Sequence, residues 1–312
     1  MSDAASLTIT SVPGIWVGQV EDDEAGTGCT VIVAKNGAVG GVDVRGSAPG
    51  TRETDLLNPV HTVDRVHAVV LAGGSAYGLA AASGAMQALE EMGMGLDVGV
   101  AKVPIVPAAV LFDLAYKSAA IRPDEAMGYA AAKLATAAPV QEGSVGAGCG
   151  ATVGKLLGME RASKGGIGSF AIALGDLVVG AIVAVNALGE VVNPDNGEIL
   201  AGIRNDAVEG SLPQPAFVSS LDVLFMEQTD SFFHQNTTIG CIATNAKLSK
   251  AEVNKVAQMA HDGLAKTIRP VHTPFDGDTL FALSTGDVQS RVEVVGALAV
   301  EVIVQSVIRA VK

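Results

Sequence analysis

Alternating apolar and polar positions dominate the first third of the chain and predict short β-strands. Three runs of this kind, GIWVGQV, GCTVIVAK and GAVGGVDVRG, are separated by turn-forming residues. Residues 66–74 are apolar almost without interruption, as in a strand that is buried on both faces. The alanine-rich residues 79–92 have the apolar spacing of a helix, so this part of the chain combines several strands with a helix.

The remainder of the chain predicts helices and strands in mixed order. The predicted elements are a helix at 123–137, a strand-rich block at 147–192, a strand at 238–244, a helix at 249–268, a strand at 278–285 and a helix at 291–311. Ser249 and Glu252 form a capping-box pattern at the start of one helix, and Pro123, Asp124 and Glu125 suit the start of another. Because strict βαβ alternation is missing, the order favours packed sheets flanked by helices over a doubly wound parallel sheet.

Small residues are abundant, since 37 of the 312 residues are glycine and only 4% are aromatic. This composition favours closely packed layers of helices and sheets. The 49% of hydrophobic residues are enough for the core of one large domain or of two. The net charge of −13 would repel a phosphate backbone, so we expect no nucleic-acid partner.

Two apolar stretches raise the question of a membrane span, and neither supports one. Residues 68–86 are interrupted by four glycines and two serines, and residues 292–311 contain Glu293, Glu301 and Arg309. The first ten residues lack the positive region and apolar core of a secretory signal. We therefore expect a soluble, cytoplasmic protein with no membrane partner.

The positions of cysteine, histidine and glycine argue against a metal or a cofactor. Cys29, Cys149 and Cys241 are widely scattered, which favours buried thiols over a disulfide or a metal site. None of the five histidines shows the spacing of paired metal ligands. The stretches LAGGSAYGLAAASG and GAGCGATVGKLLG lack dinucleotide and P-loop spacing, so the first predicts a tight strand-to-helix turn and we expect no cofactor.

Two stretches carry side chains suited to catalysis. In HTPFDGDTLFALSTG, Asp276 and Asp278 flank a glycine just before an apolar strand, and in an extended segment both carboxylates would share one face. A solvated turn explains the same D-G-D pattern, and this stretch alone favours the turn. Lys155 lies in a glycine-rich strand, where burial would affect its charge.

A polar segment precedes the strand at 238–244. Residues 195–235 contain SLPQPAF and predict a surface connection, and the polar run HQNTT follows at 234–238. Residues 236–238 match the N-glycosylation pattern, which has little meaning without a secretory signal. An ordinary turn before a strand explains the same residues, so the tripeptide alone supports no function.

A set of motifs links distant parts of the chain. In chain order they are DVRGSAPGTRETDLLNP, LAGGSAYGL, GAGCGATVGK, KGGIGS, VNALG and NTTIGCIATNAKLSKAEVNKVAQMAHDGLAKTIRPVHTPFDGDTLFALSTG. Together they closely resemble the L-aminopeptidase D-esterase/amidase family of self-cleaving hydrolases, which includes β-peptidyl aminopeptidases and the nylon-oligomer endo-hydrolase. The resemblance covers nearly the whole chain. It implies one hydrolase domain of mixed α/β class, a four-layer α-β-β-α sandwich that forms homo-oligomers, often tetramers.

The resemblance also implies that the chain cuts itself between Asn236 and Thr237. Residues 1–236 would form a large chain and residues 237–312 a small chain of 76 residues (312 − 236), and the two would stay associated. Thr237 would become the amino-terminal nucleophile. Thr238 is the rival nucleophile, and the register against the motif ATNA favours Thr237.

Further positions correspond to active-site residues of the family. Asn186 in AVNALG matches the asparagine that stabilises the oxyanion, and Asp276 and Asp278 match the acidic pair of the nylon-oligomer hydrolase. The aminopeptidase branch has serine and glutamate at these two positions. Lys155 matches a lysine in the catalytic site of the nylon-oligomer enzyme, and Lys164 in KGGIG is the alternative if the register differs.

One position departs from the nylon-oligomer enzyme. Phe112 in AAVLFDL stands where that enzyme has a tyrosine, so this part of the substrate pocket lacks a hydroxyl. The departure puts nylon oligomers in doubt as the substrate.

These assignments imply a hydrolase that needs no histidine. The freed α-amino group of Thr237, with a reference pKa of about 7.7–8.0, would act as the base for its own hydroxyl. An acyl-enzyme ester would form and water would release the acid, so small amides or peptides are the expected partners. The Asn–Thr junction and the paired aspartates favour amide bonds of ω-amino acids, as in the nylon-oligomer branch.

Three alternatives stay open. The first is an aminopeptidase, acting as an L-aminopeptidase with D-amidase activity or as a β-aminopeptidase. The second is an acyltransferase resembling ornithine acetyltransferase, which also cuts itself before a threonine. The third is a non-catalytic protein that binds a ligand through the glycine-rich loops.

Overall fold

The computed structural model describes residues 7–205, 216–226 and 236–312. Within these ranges the α-helices are α1 (Ala81–Glu91), α2 (Glu125–Leu134), α3 (Ser220–Met226), α4 (Lys250–Thr267) and α5 (Val292–Ala310). The strands are β1 (Ile15–Asp22), β2 (Thr27–Val44), β3 (Gly50–Arg52), β4 (Arg65–Ala72), β5 (Leu96–Asp97), β6 (Lys102–Val103), β7 (Ala108–Val110), β8 (Thr152–Val153), β9 (Ser163–Lys164), β10 (Gly166–Leu174), β11 (Leu177–Asn186), β12 (Glu190–Val192), β13 (Ile199–Ala201), β14 (Ile203–Arg204), β15 (Phe217–Val218), β16 (Thr237–Ala246), β17 (Ile268–Arg269) and β18 (Thr279–Val288).

The predicted helices and the main strands are confirmed, with changes at their ends. The capping box of α4 is present, because the Ser249 hydroxyl accepts the Glu252 N–H and the Glu252 carboxylate accepts the Ser249 N–H. Asp124 is the N-cap of α2 and accepts the Met127 N–H at 2.9 Å, so this helix begins at Glu125 and not at Pro123.

Two other predictions change more. GCTVIVAK and all but the last two residues of GAVGGVDVRG belong to the single strand β2, which runs for 18 residues. Of the predicted surface connection SLPQPAF, residues 211–215 lie outside the described residues. The described part of 195–235 contains the short strands β13, β14 and β15 and the helix α3.

Nine of the strands form one sheet. Its order is β10-β11-β16-β18-β2-β4-β7-β3, and β1 pairs with the side of β2. The pairs β16–β18 and β4–β7 are parallel, whereas the other neighbours in this sheet are antiparallel. This mixed pairing agrees with the missing βαβ alternation in the sequence.

The sheet folds over on itself along the long strand β2. The first part of β2 pairs mainly with β4, and the last part pairs with β18. Leu71 of β4 and Ile239 and Phe281 of β16 and β18 belong to one continuous cluster of buried side chains. No α-helix within the described ranges contributes to this cluster, although these three residues are fully buried. The two halves of the sheet must therefore cover each other.

Helices cover the two outer faces of the folded sheet. α1 and α2 pack on β2 and β4 through small residues such as Ala85 and Ala131. α4 and α5 pack on β11, β16 and β18 through larger aliphatic residues such as Val256 and Ile303. The layers follow the order α-β-β-α, which confirms the predicted sandwich.

Glycines allow α1 and α2 to cross at very short range. A Cβ atom on Gly84 would lie 1.8 Å from the carbonyl oxygen of Glu125, and one on Gly128 would lie 1.9 Å from that of Ala81. Any side chain at these two positions would force the helices apart. Part of the high glycine content thus serves layer packing.

Two further expectations concern cysteines and membranes. Cys29, Cys149 and Cys241 are free and buried, as predicted. No helix in the described part of the chain is long and apolar enough to cross a membrane.

Candidate active site

Thr237 begins β16 in the middle of the sheet, between β11 and β18. Asn186 ends β11 and lies directly opposite Thr237 in the antiparallel pair. Thr237 is 5% exposed, and its hydroxyl donates to the carbonyl oxygen of Asn236. The expected nucleophile therefore contacts the peptide bond at which cleavage is expected.

The acidic pair lies beside this junction and is buried. Asp276 forms a parallel bridge with Asn236, and the Gly277 N–H donates to the Asn236 carbonyl oxygen at 3.3 Å. Asp276 and Asp278 are 2% and 1% exposed, so the solvated turn favoured by the D-G-D pattern is wrong. A Cβ atom on Gly277 would lie 2.9 Å from the Thr237 hydroxyl oxygen, which explains the glycine between the two aspartates.

Polar neighbours replace water around both carboxylates, and this makes their burial tolerable. One oxygen of Asp278 accepts the Thr238 N–H at 2.7 Å. The other oxygen accepts the backbone N–H of His272 at 3.1 Å and lies 2.8 Å from the ring Nδ1 of the same residue. Asp276 accepts the Thr273 N–H at 2.8 Å and the Thr273 hydroxyl at 2.6 Å.

Lys155 contacts the site through Asn186. The Lys155 Nζ donates to the carboxamide oxygen of Asn186 at 2.8 Å and to its carbonyl oxygen at 2.9 Å. The Thr152 N–H donates to the same carboxamide oxygen at 3.0 Å, and the Asn186 Nδ2 donates to the Phe112 carbonyl oxygen at 3.0 Å. Lys164 donates instead to three backbone carbonyls. The structure thus brings Lys155, and not Lys164, against Asn186.

A small cavity of about 150 Å³ opens beside Thr237. Its wall includes Pro49, Ser75, Phe112, Asn236 and Phe275. Phe112 therefore stands beside the expected nucleophile.

Ser75 reaches this cavity because the chain turns sharply after β4. Gly74 has a φ of 79° and Ser75 a φ of 54°, and a 3-10 helix (Ser75–Ala80) then leads into α1. The predicted strand-to-helix turn in LAGGSAYGL is confirmed.

Burial sets the protonation of the acidic and basic groups. Burial and then the nearby charge of Asp278 raise the pKa of Asp276 to about 6. Burial lowers the pKa of Lys155 to about 7, although the attraction of Asp276 and Asp113 favours the charged amine. Both groups titrate near neutral pH, where a group exchanges protons most efficiently.

Sequence reasoning missed four polar residues that support the site. His272 and Thr273 hold the two carboxylates, and the short spacing within HTPFDGD was the available signal. Thr152 holds Asn186 from 34 positions away, and Asp113 accepts the Gly74 N–H from 39 positions away. No local pattern indicates partners at such separations.

The described residues contain no group of three or more His, Cys, Asp or Glu side chains that could hold a metal ion. The site instead brings a hydroxyl, two carboxylates, a carboxamide and an amine together around one peptide bond. This set of groups suits acyl transfer to a hydroxyl, in which protons move between nearby side chains.

The fold and this site define an amide-bond hydrolase. The model of peptidase family S58 matches residues 8–312, and the chain belongs to this family. The resemblance stated from the motifs is confirmed.

Relatives and solved structures extend this result. The chain is 44% identical over 299 residues to an uncharacterized aminopeptidase of Mycobacterium leprae. The matched region covers 91% of this chain and 80% of that protein. It is 35% identical over 314 residues to a 6-aminohexanoate-oligomer endohydrolase of Kocuria sp., with 96% and 84% covered. The solved L-aminopeptidase D-Ala-esterase/amidase of Ochrobactrum anthropi, a variant of the Ntn hydrolase fold, matches with a TM-score of 0.67 and 18% identity over 97% of this chain and 85% of that chain. This last likeness shows the fold.

Proposed function

We propose that this enzyme cuts its own chain between Asn236 and Thr237 and then uses Thr237 as an amino-terminal nucleophile. The observation that carries the proposal is the contact between the buried Thr237 hydroxyl and the Asn236 carbonyl, next to Asp276 and the Gly277 N–H. A nucleophile, a candidate base and an oxyanion donor thus surround one peptide bond.

In the uncut chain the nitrogen of Thr237 belongs to the peptide bond, so another group must take the hydroxyl proton. Asp276 is the proposed base because it is bridged to Asn236 and its pKa of about 6 leaves it ionised at neutral pH. The Thr237 oxygen bonds to the Asn236 carbonyl carbon while the Gly277 N–H donates to the developing oxyanion.

The proton then passes to the departing nitrogen of Thr237, and the carbon–nitrogen bond breaks. This leaves an ester between the Asn236 carbonyl and the Thr237 oxygen. Water hydrolyses the ester, which produces the carboxylate of Asn236 and the free α-amine of Thr237. The amine is then available as the base for later turnovers.

In turnover the α-amine takes the hydroxyl proton and the Thr237 oxygen attacks the substrate amide. We assign oxyanion stabilisation to the Nδ2 of Asn186, and loss of one such donor costs about 10²–10³ in rate. Lys155 holds the carboxamide oxygen of Asn186 at 2.8 Å and so keeps Nδ2 directed towards Phe112. The proton moves on to the leaving amine, and water hydrolyses the acyl ester.

The two chains are proposed to stay together because the small chain supplies the middle of the fold. Its strands β16 and β18 lie between β11 and β2 of the large chain. Its helices α4 and α5 pack on the sheet through a cluster that includes residues of both chains, such as Val183 and Leu264. Separation would expose this apolar core to water.

The proposed substrates are amides of ω-amino acids, such as 6-aminohexanoate oligomers. The 35% identity to the Kocuria endohydrolase supports this class, as does the buried acidic pair beside Thr237. The 44% identity to a mycobacterial aminopeptidase favours the second candidate, removal of amino-terminal residues from peptides. A panel of 6-aminohexanoate oligomers, β-peptides and aminoacyl anilides separates the two, because only an endohydrolase yields internal fragments.

A homo-oligomer is also proposed, with a tetramer as the expected size. The turn between β5 and β6 exposes Val98 (50%) and Val100 (95%), and clustered exposed apolar residues often mark a contact surface. Analytical ultracentrifugation at micromolar concentration measures the size, and a stable monomer would contradict this proposal.

Mass spectrometry of the recombinant protein tests the cleavage. The wild-type protein should appear as two polypeptides, one ending at Asn236 and one beginning at Thr237. Thr237→Ala should leave a single inactive chain, whereas Thr237→Ser keeps a hydroxyl and should still be cut. Normal processing of Thr237→Ala would refute the proposal.

Thr238→Val is the control for the rival nucleophile. Thr238 is fully buried, and its hydroxyl has no hydrogen-bond partner among the described residues. Valine keeps the shape without the hydroxyl, so we expect normal cleavage. Loss of cleavage in this variant, together with cleavage of Thr237→Ala, would assign the attack to Thr238.

A further inference from the structure

Two histidine rings lie in contact with each other, and one of them contacts Asp278 of the acidic pair. The ring centroids of His261 and His272 are 4.8 Å apart, and the ring planes meet at 69°. His261 is fully buried on α4, and its Nε2 lies 3.0 Å from the carbonyl oxygen of Asp43 on β2. His272 lies in the loop before β18 and contacts Asp278. Neither ring takes part in the reaction steps above.

Their hydrogen-bond partners determine where the ring hydrogens are. A carbonyl oxygen only accepts, so the Nε2 of His261 carries a hydrogen. An ionised Asp278 also only accepts, so the Nδ1 of His272 carries a hydrogen. The opposite nitrogens, Nδ1 of His261 and Nε2 of His272, are buried without a hydrogen-bond partner among the described residues. The described hydrogen bonds of the His272 side chain therefore all go to Asp278.

His272 holds Asp278 with two donors at once. Its φ of 56° is unusual for a residue other than glycine. In this conformation its backbone N–H and its Nδ1 lie 3.1 and 2.8 Å from the same oxygen of Asp278. The other oxygen of Asp278 accepts the Thr238 N–H at 2.7 Å. A short chain of hydrogen bonds thus connects His272 to the residue that follows the nucleophile.

We propose that His272 is a positioning residue of the active site, which fixes the Asp278 carboxylate against the Thr238 N–H and thereby holds Thr237 in place for attack. This inference rests on the proposed function of Thr237. His261 supports it by packing edge-on against the ring of His272.

Other charged groups near the two rings remain in place when His272 is changed. Asp276 lies next to Asp278, and Lys155 acts on Asp276. The charge of Asp43 on β2 favours the protonated form of His261, and the charge of Arg45, just after β2, disfavours it. A change in the cleavage rate of a His272 variant therefore reports the loss of the His272 donor.

Substitutions that tolerate a positive φ provide the test. Both His272→Gly and His272→Asn suit this backbone, but only asparagine keeps an N–H donor near the position of Nδ1. We expect His272→Gly to slow self-cleavage by about 10- to 100-fold, because a small misplacement of the reacting groups is costly. His272→Asn should stay within about threefold of the wild-type rate.

A comparison of His272→Asp with His272→Asn tests the donor without the glycine variant, which could have a folding defect. Asparagine and aspartate have the same shape, but aspartate only accepts hydrogen bonds and repels Asp278. His272→Asp should therefore lose at least as much activity as His272→Gly. His61→Asn, at an exposed histidine, should behave as the wild type. Thermal unfolding of each variant shows that it is folded.

The outcomes separate this inference from the proposed function. A wild-type protein that stays uncut would refute the cleavage proposal itself. A wild-type protein that is cut, with His272→Gly cut at the same rate, would overturn the positioning role. Equal losses in His272→Gly and His272→Asn would overturn it as well, because the donor would then not matter.

Discussion

Lys155 and Lys164 are both desolvated lysines in glycine-rich segments, yet they hold different groups. Burial lowers the pKa of Lys155 to about 7 and that of Lys164 to about 8. The Lys164 Nζ donates only to backbone in its described hydrogen bonds, namely to the carbonyls of Gly148, Ala151 and Gly165. The Lys155 Nζ donates to Asn186, which lies opposite Thr237. Desolvation alone therefore does not distinguish the lysine proposed to act in the site from the other one, whereas the bonding partners do.

Replacing each lysine by methionine should give the largest difference in activity between the two positions. We expect Lys155→Met to slow substrate hydrolysis by about 10²- to 10³-fold, since Asn186 loses the donor that orients it as an oxyanion donor. Lys164→Met should keep its activity but lower the free energy of unfolding by about 2–3 kcal/mol, because three carbonyls lose their donor. A time course by mass spectrometry and urea unfolding measure the two effects. Equal loss of activity in both variants would contradict the different roles expected for Lys155 and Lys164.

A change at Asp276 should affect the charge state of Lys155 and not that of Lys164. The charge of Asp276 favours the protonated form of Lys155. Asp276 is not one of the groups that shift the pKa of Lys164. Because burial raises the pKa of Asp276 to about 6, the base is protonated below that pH. The cleavage rate should therefore rise with pH and level off above about 6.

Asp276→Asn should remove this acid limb and lower the rate by about 10²-fold. Cleavage rates between pH 4 and 8 measure both changes. Asp287→Asn, at an exposed aspartate, is the matched control and should keep the wild-type profile. An acid limb that persists in Asp276→Asn would assign the titration to another group.

A change at Asp113 should affect both lysines and give the smallest effect. The Asp113 charge favours the protonated form of Lys155 and of Lys164. Its carboxylate also accepts the Gly74 N–H at 2.7 Å and the Thr27 hydroxyl at 2.7 Å. We expect Asp113→Asn to lower the free energy of unfolding by about 1 kcal/mol, since asparagine replaces one acceptor by a donor. Rates should change by less than about threefold, and a much larger loss would place Asp113 in the chemistry.

Local signals in the sequence predicted most of the elements. The capping box of α4 and the apolar run of β4 are decided within a few residues, and both are confirmed. β2 was divided wrongly because Asn36 and Gly37 have the pattern of a hairpin turn. In the structure Gly37 has a φ of 70° at an irregularity in the pairing of β2 with β4, and the strand continues. β4 pairs with β2 both before and after this irregularity, and this pairing outweighs the turn signal.

The site was predictable only in part. The motifs led to Thr237, Asn186, Lys155 and the acidic pair, which the structure places around one peptide bond. The D-G-D stretch by itself favoured a solvated turn, because burial depends on what packs against a segment. His272 had no assigned role, although Asp278 is only six positions away, because the ring contacts this carboxylate only in the folded loop.

The sequence by itself determined the periodicity of the strands and helices, the caps, and the motifs that mark the family, because these depend on residues close together in the chain. Only the tertiary structure decided that the sheet folds over on itself, which lysine contacts Asn186, and which carboxyl groups are buried. Burial and hydrogen bonding depend on distances between residues far apart in the chain, and these same distances set the pKa values of Asp276 and Lys155 near neutral pH.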